Sequence, residues 1–317
     1  MWKYIDKDQC NEFLLSLHLI DCKDNNEYFE KLYTISNRIE NNYKVYKIKK
    51  RNGKYRTIYN PNLTLKYIQR QILNNILNNK SISKYARAYH KGINLVDNAI
   101  PHVNKKIILK LDIKDFFNNI SFNNVYNSCF SIEYFPKSIG MLLTYLCTYN
   151  NYIPQGAPTS SYISNLVMKE FDNEIGDWCE SNNISYTRYS DDMTFSGNFE
   201  PKVVITKVRK MLNKLGLQLN DDKTNVISKS SSQNVTGIVV NEKIQINSKY
   251  RNEIRKEVYY VNKYGVDSHI ERNKYKLGKD KYLNNLYGRI VFVLQVNKND
   301  KEFIKYKQII EKLIKKG

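Results

Sequence analysis

Cysteine is sparse and irregular in this chain: Cys10, Cys22, Cys129, Cys147 and Cys179 make an odd count with no CxxC pair. That pattern argues against a zinc site or a disulfide framework and points to a reducing cytoplasm. No run approaches eighteen apolar residues, so neither a membrane span nor a membrane partner is expected. The first residues, Met1 to Phe13, lack the basic and then apolar layout of a secretory signal. No internal repeat and no long Pro-, Gly- or Ser-rich linker interrupts the 317 residues. Acidic residues are also short, 31 Asp and Glu against 51 Lys and Arg, a net charge of +20. Such an excess favours a polyanionic partner, nucleic acid before membrane.

What is present is unevenly placed. From Asn241 to Gly317 there are 19 basic and 9 acidic residues, so the last quarter of the chain holds about half of the excess. Eight tyrosines, from Tyr250 to Tyr306, lie among these lysines. Tyrosine rings can stack on bases while lysines meet phosphates. A general bias of the proteome toward Lys, Asn, Ile and Tyr would produce part of the same composition.

Residues 1 to about 42 show helical spacing, in Phe13, Leu14 and Leu17 and then Tyr28, Phe29, Leu32 and Tyr33. Tyr43 to Lys49 and Lys54 to Tyr59 alternate with period two around Asn52-Gly53, a hairpin turn signal. Leu65 to Leu77 reads as an amphipathic helix. Ile107 to Leu111 is a short apolar strand that ends on Asp112. A loop at Pro154 to Pro158 precedes a helix running through Phe171, with Thr159 or Ser160 as its cap. Pro201 to Leu215 is another helix, Leu217 to Leu219 a short strand, and Val235 to Val240 with Lys243 to Ile246 a hairpin around Asn241-Glu242. Beyond residue 248 the pattern is helical and basic.

Ile184 to Tyr189 and Met193 to Ser196 predict a β-hairpin with Asp191 and Asp192 at its tip. Adjacent carboxylates repel unless water or a cation neutralises them. The pair Asp221-Asp222 shows that a doublet alone means little, since it sits in a polar stretch and reads as structural. If the strand ending at Asp112 lies beside the hairpin, three carboxylates converge. Such a set can bind two Mg²⁺ ions about 4 Å apart and serve in-line phosphoryl transfer.

LDIKDFF, IPQGAPTSS, YTRYSDDMTFSG and GLQLNDDKT occur in that order. Together they resemble the consecutive motifs of a reverse transcriptase, over about Lys47 to Ile246. Asn98 to His102 resembles the NAxxH stretch of the retron branch, and Val235, Thr236 and Gly237 its VTG signature. The lack of maturase, endonuclease or RNase H segments suits the same branch. Two departures from the family pattern are YSDD for the usual YADD and Ser161 where a proline often stands.

The resemblance implies an α+β fold of the right-hand polymerase kind: fingers, a palm with an antiparallel sheet, and a short helical thumb. The expected bounds are 1–105 for N-terminal helices and fingers, 106–246 for the palm with a fingers insertion around 120–155, and 247–317 for the thumb. By the same resemblance Asp112, Asp191 and Asp192 are the catalytic carboxylates, holding two Mg²⁺ ions with the backbone carbonyl of Ile113. Arg56, Asp115, Phe116, Phe117, Gln155 and Lys223 would contact the incoming dNTP, and Gly156 would let the backbone approach it closely. Phe117 would act as the ring that excludes a 2′-hydroxyl, and Lys223 would protonate pyrophosphate. Asn98, His102, Val235, Thr236, Gly237, Arg251, Arg255 and Lys256 would bind RNA or template. The partners implied are a structured non-coding RNA with its branched DNA copy and a separate effector protein, in defence against phage. Two other readings stay open: another polymerase, such as the reverse transcriptase of another bacterial element, or an RNA-bound scaffold that restrains an effector.

Overall fold

The computed structural model describes residues 2, 5–49, 53, 55–273, 275 and 278–316, without the side chain at 316. Its helices are α1 Lys7–Ser16, α2 Asn25–Asn37, α3 Leu63–Gln71, α4 Leu95–Ala99, α5 Phe116–Asn119, α6 Phe122–Cys129, α7 Lys137–Cys147, α8 Ser160–Val167, α9 Lys169–Ser181, α10 Pro201–Lys214, α11 Ser248–Tyr264, α12 Val266–Arg272, α13 Lys279–Val296 and α14 Lys301–Lys316. Its strands are β1 Tyr43–Lys49, β2 Tyr55–Pro61, β3 Ile107–Asp112, β4 Ser185–Tyr189, β5 Asp192–Gly197, β6 Asn225–Ser228, β7 Asn234–Val235, β8 Ile238–Val239 and β9 Gln245–Ile246. They form sheets of order β1-β2, β4-β5-β3-β6 and β7-β8-β9. Among the described residues no helix is long and apolar enough to cross a membrane.

The chain divides into two compact units, one of Met1–Ile93 with Leu109–Val226, the other of Asn94–Ile108 with Ile227–Gly317. These cuts differ from the fingers, palm and thumb bounds given above, because a compact unit is defined by contact and a subdomain by role.

In the first unit, apolar side chains of α3, α7, α8, α9, α10 and the inner strands share one core, with Leu65, Ile68, Leu143, Ile163, Ile175, Phe195 and Val208 almost fully buried. Asp6 and Asp24 cap α1 and α2 through their side chains, which accept from backbone N–H groups of the first turn. β1 and β2 pair antiparallel with Lys49 opposite Tyr55; Asn52 and Lys54 of the expected hairpin lie outside the described residues. Four local expectations differ. Leu217 to Leu219 forms no strand; Leu219 alone bridges to Ile113. The helix from Leu65 is α-helical only to Gln71, then passes through a π turn, Ile72–Ile76, and a 3₁₀ turn, Leu77–Asn79. The helix expected through Phe171 breaks at Met168 into α8 and α9. Neither Thr159 nor Ser160 caps α8 by its side chain; the Ser160 hydroxyl instead donates to Pro154 O at 2.7 Å.

In the second unit, Ile254, Val258 and Val261 of α11, Leu283, Leu286, Ile290 and Val293 of α13, and Phe303 and Ile310 of α14 pack with Val235, Ile238 and Val240. The hairpin expected around Asn241-Glu242 is there as β8 and β9. A second, tighter one precedes it, with Val235 opposite Ile238 and only Thr236 and Gly237 between. Both turn residues have positive φ, 47° and 89°. A two-residue turn of that hand matches the twist of its strands, but a β-branched residue rarely adopts it.

Candidate active site

β4 and β5 pair with Thr187 opposite Thr194 and Tyr189 opposite Asp192, so the two-residue tip is Ser190-Asp191 and Asp192 already belongs to β5. The expected tip is therefore shifted by one residue. Ser190 is left-handed, φ 62°. The N–H of Ile113, next to Asp112, donates to Asp191 O at 3.1 Å and stitches the end of β3 to this turn. Since side chains alternate along a strand, the end of β3 and the start of β5 bring Asp112 and Asp192 to one rim.

Asp112, Asp191 and Asp192 line one hollow of about 500 Å³, together with Ile113, Asp115, Phe116, Phe117, Arg56, Gln155 and Lys223. Apart from Gly156, every residue expected at the metal or nucleotide site thus borders the same space. Asp112 is 4 % exposed. Its Oδ2 accepts from Lys223 Nζ at 2.6 Å, its Oδ1 from Asn220 Nδ2 at 3.1 Å, and its backbone O from Asn220 N at 2.8 Å. Burial raises the Asp191 carboxyl, and the charge of Asp112 adds to the rise against Lys223 and Arg56. Burial, then the charges of Asp191 and Asp112, push Asp192 up to about 6. At Lys223 burial pulls the ammonium down, but the hydrogen bond to Asp112 and the charges of the three carboxylates outweigh it and leave it raised.

All the side-chain donors are carboxylate oxygens, and their mutual repulsion is what a hard divalent cation relieves, so the residues fit such an ion in their chemistry. As they stand they do not close on one point: among the described residues no three acidic, His or Cys side chains gather closely enough to hold a metal. The ammonium of Lys223 supplies the countercharge at Asp112.

The remaining residues differ in how they meet the hollow. Phe117 is half-buried and packs edge-on against Phe116, ring centroids 5.5 Å apart, while Phe116 is 3 % exposed and mainly a core residue. Asp115 is exposed and left-handed, φ 44°, just before α5. Arg56 is exposed on β2, opposite Ile48. Gln155 O accepts from Tyr59 N at 2.9 Å, tying the PQGAP loop to β2. Gly156, expected to admit a nucleotide, instead admits β2: a Cβ there would lie 2.8 Å from Tyr59 O, and its φ is 121°.

Asn98, His102, Val235, Thr236 and Gly237 belong to the second unit. Asn98 and His102 are buried, and Asn98 Nδ2 donates to Thr236 Oγ1 at 3.3 Å, so the NAxxH and VTG stretches meet. Asn234 Oδ1 accepts from Gly237 N at 2.9 Å and closes the tight turn. Arg251 pairs with Asp300 at 2.6 Å and Arg255 with Glu302 at 2.6 Å, whereas Lys256 is exposed.

The reverse transcriptase family, described as Reverse transcriptase (RNA-dependent DNA polymerase), matches residues 48–240. The chain is 32% identical to the retron Ec86 reverse transcriptase of Escherichia coli, over 85% of this chain and 82% of that one. It is 34% identical to the retron Ec83 reverse transcriptase of Escherichia coli, over 75% of this chain and 81% of that one. The chain belongs to the retron reverse transcriptases. It has the α+β, right-hand polymerase fold and is an RNA-directed DNA polymerase that copies an RNA template and depends on a divalent metal.

Residues without a prior signal in the sequence also shape the reverse transcriptase's candidate site. Asn220 holds Asp112 at two points; it lies in GLQLNDDKT, beside the more conspicuous acidic doublet. Tyr89 lines the hollow, and its hydroxyl donates to Ser190 Oγ at 3.3 Å. Lys110 sits on the strand that ends at Asp112; burial lowers its ammonium, while the charge of Asp192 works against that.

Proposed function

We propose that this reverse transcriptase extends a primer with dNTPs at Asp112, Asp191 and Asp192, copying part of its own structured RNA into branched multicopy single-stranded DNA. The reading rests on one observation above all: three carboxylates, from the end of β3, the β4-β5 turn and the start of β5, share a hollow with Arg56, Gln155, Phe117 and Lys223. Two Mg²⁺ ions held by these carboxylates and the Ile113 carbonyl would supply the positive charge that favours an attacking hydroxylate and a leaving pyrophosphate. The chain's own groups do the rest. Arg56 offers a forked guanidinium to the triphosphate. Phe117 borders the hollow, and its ring would stand where a ribose 2′-hydroxyl would clash. Lys223 carries a proton at Nζ that can pass to pyrophosphate. Asp115, Phe116 and Gln155 shape the nucleotide side of the hollow.

The start from an internal guanosine 2′-hydroxyl, the partner RNA and a separate effector in phage defence belong to the same proposal, as does a cytoplasmic location. The thumb, 247–317, suits the RNA by its charge and by the exposed rings of Tyr259, Tyr260, Tyr264 and Tyr275. Asn98, His102 and Val235 would act from the interior, by holding the Thr236-Gly237 turn against which RNA rests.

Primer extension on an RNA template tests the site. Asp112→Asn and the double variant Asp191→Asn, Asp192→Asn should abolish dNTP incorporation while sparing RNA binding. Synthesis near the wild-type rate in either would remove these carboxylates from the chemistry. Sequencing the nucleic acid that copurifies tests the branched product.

A further inference from the structure

Arg188 lies on β4, two residues before Ser190, and is fully buried, 0 % exposed, as is its partner Asp172 on α9. A buried charge survives only when it is paired and its other donors are used. The Arg188 fork meets both Asp172 oxygens, Nη2 to Oδ2 at 2.6 Å and Nε to Oδ1 at 2.8 Å. Tyr186 Oη donates to the same Oδ1 at 2.8 Å. That leaves Nη1, which donates to the backbone carbonyl of Ser190 at 2.9 Å.

Ser190 is the left-handed residue of the turn, φ 62°, a conformation unfavourable for any residue with a Cβ. Strain of this kind persists where surrounding structure over-determines it. Ser190 is held at two points: its carbonyl by Arg188, its hydroxyl by Tyr89. The backbone of Arg188 is fixed in turn by the segment before α4. Arg188 N donates to Tyr85 O at 2.9 Å, and Arg87 N donates to Arg188 O at 2.8 Å. Asn165 of α8 joins the two, accepting from Arg188 Nη2 at 3.1 Å and donating to Ala88 O at 2.8 Å.

We propose that Arg188 is a positioning residue for catalysis: clamped by Asp172, its guanidinium fixes the Ser190 carbonyl and so holds the left-handed turn that presents Asp191 and Asp192. The inference rests on the catalytic reading of those two aspartates. A fold needs no such arrangement to close a hairpin, since a glycine at 190 would adopt the turn unaided.

Arg188→Lys tests this. It keeps a charge on Asp172 but lacks the fork that reaches the carbonyl at the same time. The expected result is a folded protein that binds RNA as the wild type does, with kcat down by about a hundredfold, as a small misplacement of reacting groups produces. Mn²⁺ binding in the absence of nucleotide, followed by electron paramagnetic resonance, should weaken severalfold. Ser190→Gly in the same background should recover much of the loss, because glycine needs no clamp. Wild-type kcat and Mn²⁺ binding in Arg188→Lys would overturn the proposal, and so would a loss that Ser190→Gly does not relieve. If Arg188→Lys does not fold, the charge-free pair Arg188→Met, Asp172→Leu takes its place with the same readouts. If neither folds, the pair serves the fold and the proposal fails. Failure of the catalytic reading looks different: DNA synthesis would then persist in Asp191→Asn, Asp192→Asn with Arg188 intact.

Discussion

Lys223 Nζ stands 2.6 Å from Asp112 Oδ2, an ammonium on a largely buried carboxylate at the mouth of the hollow. The lysine side chain is 57% exposed and the aspartate side chain 6%, so the pair is asymmetric: the carboxylate depends on the lysine more than the lysine depends on it. Lys223→Met should therefore destabilise the metal-free protein by about 1 kcal/mol, below the range for a fully buried pair because water screens the lysine. Added Mg²⁺ should raise the melting temperature of the variant more than that of the wild type, since a cation then replaces the missing countercharge. Thermal melts with EDTA and with Mg²⁺ check this, and identical shifts in both proteins would mean that Lys223 does not shield Asp112.

The charge crowding predicts a pH dependence of definite sign. Asp192 titrates near 6 in the folded protein, above about 3.9 for an unfolded aspartate. A raised carboxyl stabilises the fold fully below the unfolded value and loses that contribution as pH climbs through the folded one. The metal-free wild type should thus lose stability from this source between about pH 4 and 6. Asp192→Asn removes the charge, so in EDTA at pH 7.5 it should be more stable than the wild type. The gain should be about 1 kcal/mol, reduced by solvent screening because Asp192 meets water on the rim. The difference should shrink at pH 4.5. Equal melting differences at the two pH values would contradict the crowding. For the same reason metal binding, and with it DNA synthesis, should weaken as pH falls below about 6, where a proton competes for the carboxylate.

Phe117 borders the hollow with a half-buried ring braced by Phe116. Phe117→Ala should raise ribonucleotide incorporation relative to deoxyribonucleotide incorporation by about tenfold or more, on the order of 1.4 kcal/mol of discrimination. Competing rNTP and dNTP extension reads the ratio directly. Unchanged sugar selectivity with a lower melting temperature would assign the ring to packing alone.

Much of this is legible in the sequence because its signals are local. The Asp112 strand follows from a short apolar run and the Asp191 hairpin from two strand-like runs flanking an acidic pair, and the motif order carries the family. The rest depends on contacts far apart in the chain. Arg188 and Asp172, 16 residues apart, look like ordinary charged positions on a strand and a helix until the fold buries both. The Thr236-Gly237 turn hides behind a β-branched residue that turn preferences disfavour. Arg251 and Arg255 read as free basic residues, yet α14 and the residue before it supply their carboxylates, Asp300 from 49 positions away and Glu302 from 47. The break at Met168 and the π turn at Ile72–Ile76 carry no residue-level punctuation at all, since neither Gly nor Pro marks them.

Those ion pairs divide the basic residues of α11 into two kinds, and RNA binding should divide with them. Lys249, Lys256 and Lys263 are seven residues apart and exposed along one stripe of the helix. Each lysine–phosphate pair removed should reduce the slope of log affinity against log salt by about 1, so changing all three to Gln should flatten it by up to about 3. Arg251→Ala and Arg255→Ala break ion pairs with Asp300 and Glu302 instead. They should lower the melting temperature while leaving the salt slope near that of the wild type. Binding titrations across a salt series, with melts on the same proteins, separate the two effects. A slope that drops for the arginines and holds for the lysines would put the RNA on the opposite set of side chains and return Arg251 and Arg255 to the contact surface.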